Sequence, residues 1–173
     1  MEQYMGSMVV LPDEPAEIDA AAGDQGDELR LWLRLMTCST LIEKEVRRRL
    51  RKDLDFTLPR FDLLAQLDKA GHGLVLGELS RRMMVTAGNL TSLVERMVES
   101  GHVTRTPLST DRRVQIVALT PLGRKAFREM AGRHGGWIAA LFADVPPRDR
   151  AVLMKHLGLL KHSVRKALVP DAA

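Results

Sequence analysis

The chain has 173 residues, 45% hydrophobic and 28% charged, the composition of a folded chain with room for one sizeable core. A single cysteine excludes a disulfide framework and a multi-thiolate zinc site, and a reducing, cytoplasmic setting is expected. The net charge of +4 conceals a partition, because residues 1–28 hold eight acids and no Lys or Arg, leaving +12 on the rest. A body that basic takes an anionic partner as its first hypothesis, nucleic acid above all, against the alternative of a merely soluble basic surface.

Residues 1–26 are rich in Asp, Ala, Gly and Pro without a periodic apolar face, and are expected to form a flexible acidic tail. No run of about eighteen apolar residues occurs, and no basic stretch followed by an apolar one opens the chain, so neither a membrane span nor a secretory signal is expected. Order is predicted to begin near Asp27. Leu29, Trp32, Leu33, Met36, Leu41, Val46 and Leu50 keep helical spacing through a long first helix. Thr57-Leu58-Pro59 restarts the chain, with Thr57 as N-cap and Pro59 in the first turn of a second helix that ends at Gly71.

Leu74-Val75-Leu76 reads as a short extended segment, followed by a short helix from Gly77 to Met84. Thr86 is placed to cap a fourth helix running to Ser100, with Gly101 ending it. Two short helices around a tight turn make a helix-turn-helix. Val103–Pro107 and Val114–Leu119 are β-rich runs flanking a polar loop with adjacent arginines, a two-stranded β-wing. Thr120 and Pro121 open a fifth helix towards Phe142, Pro146-Pro147 breaks it, and Leu153, Leu157, Leu160, Val164 and Leu168 stripe a last one.

Several of these segments carry a family likeness. Leu79-Ser80-Arg81-Arg82-Met83, Asn89-Leu90-Thr91-Ser92-Leu93-Val94-Glu95-Arg96, Glu99-Ser100-Gly101-His102-Val103, Asp111-Arg112-Arg113 and Leu119-Thr120-Pro121-Leu122-Gly123-Arg124 resemble the winged helix-turn-helix of MarR-type regulators. The expected fold is mainly α: a winged helix-turn-helix core (57–119) with a two-stranded wing, flanked by dimerisation helices (27–54 and 120–168) in a single domain over 27–168, and a short tail at 169–173. The resemblance implies an obligate homodimer on inverted-repeat operators, usually repressing, and released when a small, often aromatic or anionic, ligand binds.

The residues support DNA contact on their own terms. On the fourth helix Leu90, Leu93, Val94, Met97 and Val98 cluster on one side, with Gly88, Asn89, Ser92 and Arg96 opposite. A small polar face suits a major groove: Asn pairs with adenine, Ser with base edges or phosphate, Arg with guanine or phosphate, and Gly88 leaves room. Thr86 caps the end that enters, while Glu95 and Glu99 keep the far half away from phosphate. Arg112 and Arg113 at the wing tip suit a narrow minor groove, and Asp111 is expected to fix the tip geometry. Arg81 and Arg82 on the third helix are candidates for phosphate positioning.

Arg47, Arg48, Arg49, Arg51 and Lys52 either complement the dipole of the first helix or contact an anion. The apolar stripes of the first, fifth and sixth helices exceed what a small winged core covers, which points to two-fold pairing. No metal-ligand spacing joins the five histidines, and no cofactor fingerprint or nucleophile elbow occurs, so neither an enzyme nor a bound cofactor is expected. Cys38 reads as a packed small hydrophobe, with a redox sensor as the alternative. A winged-helix module contacting protein or RNA is the alternative to DNA binding.

For the effector, Leu29 to Met36, Leu41-Ile42-Glu43 and Leu58-Pro59-Arg60-Phe61-Asp62 resemble the subset of these regulators that controls aromatic-acid catabolism, some answering to hydroxycinnamates or their coenzyme A thioesters. Arg30 and Arg34, one turn apart, suit a carboxylate or phosphates, and Trp32, Phe61 and Trp137 suit an aromatic ring. The alternative is solvated arginines and core aromatics. Gly135-Gly136 in the fifth helix fits either close helix packing or a hinge with pocket space.

Overall fold

The structure, a computed structural model, describes residues 26–108 and 114–168. The acidic stretch 1–25, the wing-tip residues Asp111, Arg112 and Arg113, and the stretch 169–173 lie outside the described residues. Two compact units divide the chain, one to Gly132 and one from Arg133.

In the first unit α1 (Asp27–Leu54) places Asp27 and Glu28 in its first turn and Arg51 and Lys52 in its last, each sign matching the helix dipole. It stops where Asp55 turns into the left-handed region, φ 49°, and Phe56 N–H donates to Leu50 C=O at 3.0 Å. Then α2 (Leu58–Ala70) starts at Thr57, whose extended backbone marks the N-cap although its side chain makes no capping bond. The predicted extended segment is β1 (Leu74–Val75), and α3 (Leu76–Met83) follows at once. That helix sits one residue earlier than the sequence pattern suggested, because Met84 has φ 53° and cannot continue it.

Next come α4 (Ala87–Glu99), β2 (Val103–Pro107), β3 (Gln115–Leu119) and α5 (Pro121–Leu141). At the head of α4, Thr86 Oγ1 accepts from Asn89 N–H at 3.4 Å, a long version of the expected cap. The wing is a five-residue antiparallel ladder, Val103 facing Leu119 and Pro107 facing Gln115. β1 adds to the far side of β3, Leu74 facing Val117, so the sheet has three strands in the order β1-β3-β2. Gly73, at φ +86°, permits that third strand: a Cβ there would lie 2.8 Å from the Val117 carbonyl oxygen.

Leu50, Leu63, Leu64, Leu67, Leu79, Leu90, Val94, Met97 and Val117 are almost wholly buried and form the core under the sheet and the short helices. Burying each such side chain contributes about 1.5–3 kcal/mol. Two expectations on α4 need correction: Leu93 is only half-buried and Val98 is 40% exposed, because the core claims only the narrow stripe Leu90–Val94–Met97. Thr120 ties the end of α4 to the start of α5. Its Oγ accepts from Gly123 N–H at 2.9 Å and donates to Gly101 C=O at 2.7 Å, while its N–H donates to His102 C=O at 3.1 Å. Gly123 packs flat on that same His102 carbonyl, where any Cβ would collide.

In the second unit, α5 ends at Leu141 and α6 (Pro147–Ala167) begins with Pro at its first position, where a missing N–H costs nothing. Arg150 N–H donates to Pro146 C=O at 3.0 Å and its guanidinium reaches Phe142 C=O at 3.4 Å, pinning the turn. No residue of α6 is buried; Val152, Leu153, Met154, Leu157, Leu159 and Val164 are all at least 46% exposed. No Cβ added at Gly135 or Gly136 would meet an atom within 4 Å among the described residues. Nothing among the described residues thus packs closely on the glycine pair. Among the described residues no helix is long and apolar enough to cross a membrane, and no cluster of three or more His, Cys, Asp and Glu could hold a metal ion.

Candidate nucleic-acid interface

With Leu90, Val94 and Met97 locked in the core, the opposite side of α4 is fixed outward. Gly88, Asn89, Ser92 and Arg96 are all exposed there, as is Thr86 at the cap. Arg96 has no ion-pair partner among the described residues, so its guanidinium is available to an external acceptor. Thr91 is turned inward on its own helix, its hydroxyl donating to Ala87 C=O at 2.9 Å, which leaves Ser92 as the outward hydroxyl of the pair. A cavity under Gly88 is not what the glycine provides; a Cβ there would stand in open space, on the side an approaching surface would fill.

Arg81 and Arg82 lie on α3 beside this face, and both pair with Glu78, Arg82 Nε at 2.7 Å from its carboxylate. Sequence reasoning missed Glu78, although its i,i+3 and i,i+4 spacing to the two arginines signals the pairing. Arg81 is 77% exposed at its side chain, so exchanging this carboxylate for a phosphate costs little; exposed pairs contribute about 0–1 kcal/mol. Arg105, exposed on β2, adds a further cation on the wing that the reading of the tip alone passed over. The two arginines predicted at the tip itself, and Asp111, are outside the described residues.

The basic cluster ending α1 is mostly engaged by its own helix. Arg47 Nε bonds Glu43 at 2.7 Å, while Arg48 and Arg49 both bond Glu45 at 2.6 Å. Those two bonds, Arg48 first and Arg49 second, hold the Glu45 carboxyl down at about 2, and the same pairing raises Arg48. Arg47, Arg48 and Arg49 are thus held by acids of their own helix, while Arg51 and Lys52 stand in its last turn.

The proposed effector residues are placed unevenly. Arg30 pairs with Asp27 at 3.2 Å, Arg34 is exposed one turn further, and Trp32 is 52% exposed on the same helix. Phe61 is instead a core ring, 7% exposed, its centroid 5.7 Å from that of Phe127. Trp137 belongs to the second unit, where it meets His134 edge-on at 6.5 Å. Cys38 is exposed rather than packed, although its neighbour Thr37 is buried.

A buried three-residue stripe, an outward polar face, a capped helix-turn-helix and a two-stranded wing occur here in one compact unit. The profile of the MarR family matches residues 54–114, the stretch from the end of α1 through the wing. This stretch is similar to the winged-helix regulators of the MarR family. Among similar proteins, the transcriptional activatory protein BadR of Rhodopseudomonas palustris is 33% identical over 104 residues, 59% of this chain and only 59% of BadR's own length. The MarR family regulator Sco3205 of Streptomyces coelicolor, solved in complex with DNA, superposes with TM-score 0.70 at 27% identity, covering 83% of this chain and 88% of Sco3205. A MarR family regulator from Silicibacter pomeroyi gives TM-score 0.70 at 28% identity over 82% of this chain and 99% of its own.

Proposed function

We propose that this chain is a MarR-type regulator that controls transcription as a homodimer bound to a pseudo-palindromic duplex operator. One observation carries the reading: the outward face of α4, Gly88-Asn89-Ser92-Arg96, is held rigidly by a buried opposite face and flanked by the cations of α3 and the wing. Asn89 and Ser92 read base edges, Arg96 reaches guanine or phosphate, Arg81 and Arg82 take phosphates after leaving Glu78, and Arg112 and Arg113 enter the minor groove. Two copies paired through the apolar faces left open on α1 and α6 set half-sites about one helical turn, roughly 10 bp, apart. The crystal structure of Sco3205 in complex with DNA supports this use of the fold.

Selection of duplexes from a random pool, followed by footprinting, tests the reading. A two-fold footprint is expected, with Arg113→Ala removing most of the affinity while the dimer persists and Asn89→Ala or Ser92→Ala changing base preference. Footprints without symmetry, or full-strength binding by Arg113→Ala, overturn it. The sign of regulation is read from a reporter: repression by operator occupancy is proposed, and the naming of BadR as an activatory protein makes activation the second reading.

The effector proposed is a small aromatic acid or its coenzyme A thioester, with Arg30 and Arg34 for its carboxylate or phosphates and Trp32 for its ring, Phe61 being a core ring instead. Titrating operator-bound protein with p-coumarate, ferulate and their thioesters decides the matter. Arg30→Ala or Arg34→Ala should raise the concentration needed for release and leave operator affinity nearly unchanged. Release by none of them at micromolar levels ends the aromatic-acid reading.

A further inference from the structure

The turn between α3 and α4 carries Met84, 92% exposed, more than any other large apolar side chain among the described residues. Its backbone lies at φ 53°, ψ 40°, a left-handed conformation that glycine or asparagine adopts far more readily than methionine. The turn is nonetheless tied down at both ends. Met84 N–H donates to Arg81 C=O at 3.4 Å, Val85 N–H to Ser80 C=O at 3.2 Å, and the Ser80 hydroxyl to Val85 C=O at 2.6 Å. A left-handed residue and a thioether wholly in water are two separate costs, and both fall two residues before the cap of the helix that presents Asn89 and Ser92.

The surroundings define what would cover it. Arg81 and Arg82 precede it on α3, and Thr86, Gly88 and Asn89 follow it, all of them exposed. The matching surface is therefore anionic overall, hydrogen-bonding in its interior, and supplied with an apolar group within reach of a flexible unbranched side chain. In the major groove of duplex DNA one base edge offers that group, the C5-methyl of thymine. Phosphate offers nothing to a thioether, which has no proton to donate. In a helix-turn-helix the first turn of the second helix meets the base edges, which brings the preceding turn to the groove margin.

We propose that Met84 is a specificity-determining residue that reads a thymine methyl at the margin of each half-site. The proposal rests on the DNA-binding reading of α4 and adds to it an apolar contact among polar ones. Its test uses the full chain and a duplex selected from a random pool by the unaltered protein. Each thymine of a half-site is replaced in turn by deoxyuridine, which removes the methyl and nothing else.

At one position the unaltered protein should lose affinity about fourfold, the worth of one buried methyl-sized group. Met84→Gly, which keeps the left-handed turn without strain, should bind the thymine and deoxyuridine duplexes equally. Met84→Leu should restore part of the difference. Thermal melting of both variants confirms that the fold is intact. A Met84→Gly protein that still responds to every thymine as the unaltered one does overturns the proposal. So does a uniform loss of affinity with the thymine response unchanged, which would assign Met84 to the sugar edge instead. A pool that yields no retained duplex overturns the DNA reading itself, and this proposal with it, a result distinct from either of the others.

Discussion

α4 and α6 are both amphipathic helices, yet the chain treats them in opposite ways. α4 has thirteen residues and buries Leu90, Val94 and Met97 at 1% exposure or less; α6 has twenty-one and buries none. The apolar stripe of α4 is matched by neighbours close in sequence, α2, α3 and β2, which close around it. The stripe of α6, from Leu153 to Val164, has no such cover, and its leucines and valines stand about half exposed. Apolar periodicity thus says that a helix has something to bury, while the burying partner is a separate matter. For α4 it is the same chain; for α6 the proposed partner is a second copy.

That contrast can be broken experimentally. The largest effect is expected at Leu90, where Leu90→Ala should cost about 2–5 kcal/mol in denaturant unfolding, independent of protein concentration. Leu153→Ala combined with Leu157→Ala should behave differently. In an isolated chain these half-exposed residues would cost little, whereas in a dimer their loss should raise the dissociation constant and abolish the fall of Tm on tenfold dilution. Sedimentation of the double variant as the same species as the unaltered chain would remove the second-copy explanation of α6.

Smaller effects sharpen the comparison at the helix ends. Thr86→Ala, which removes a side-chain cap from α4, should cost about 1 kcal/mol, while Thr57→Ala at α2, whose hydroxyl makes no cap bond, should change the unfolding midpoint hardly at all. The smallest effect concerns Glu45 on α1. Bonds from Arg48 and Arg49 hold its carboxyl at about 2, below the 4.5 of the unfolded chain, so the stabilisation is present above about pH 4.5 and is lost as pH falls towards 2. Glu45→Gln should therefore lose less stability than the unaltered chain between pH 5 and pH 3, measured as the shift in urea midpoint. Equal shifts would show that the pairing makes no contribution.

Much of the fold was legible because its signals are local. Thr86 before Ala87, Gly101 after Ser100 and the prolines at 121 and 147 mark helix ends by chemistry that acts over three or four residues. The outward residues of α4 were legible for a related reason, since three buried positions at helical spacing leave the opposite face no choice. Glu78 was missed because attention to the two arginines passed over the acid that serves both. Val98 and Cys38 were misplaced because periodicity gives a direction around a helix but not the width of the surface that covers it.

What the sequence determined by itself was the succession of elements and which face of α4 is polar, both set by backbone preferences and by a 3.6-residue repeat. Only the tertiary structure decided that β1 joins the wing through Gly73, that Phe61 is a core ring against Phe127, and that Gly123 lies flat on the His102 carbonyl. It also decided that Met84 stands out in a left-handed turn while α6 stays uncovered. Each of these depends on which distant residue arrives at a given surface. That is settled by the closure of loops and the volume left between packed elements, and neither quantity is written in any short window of the chain.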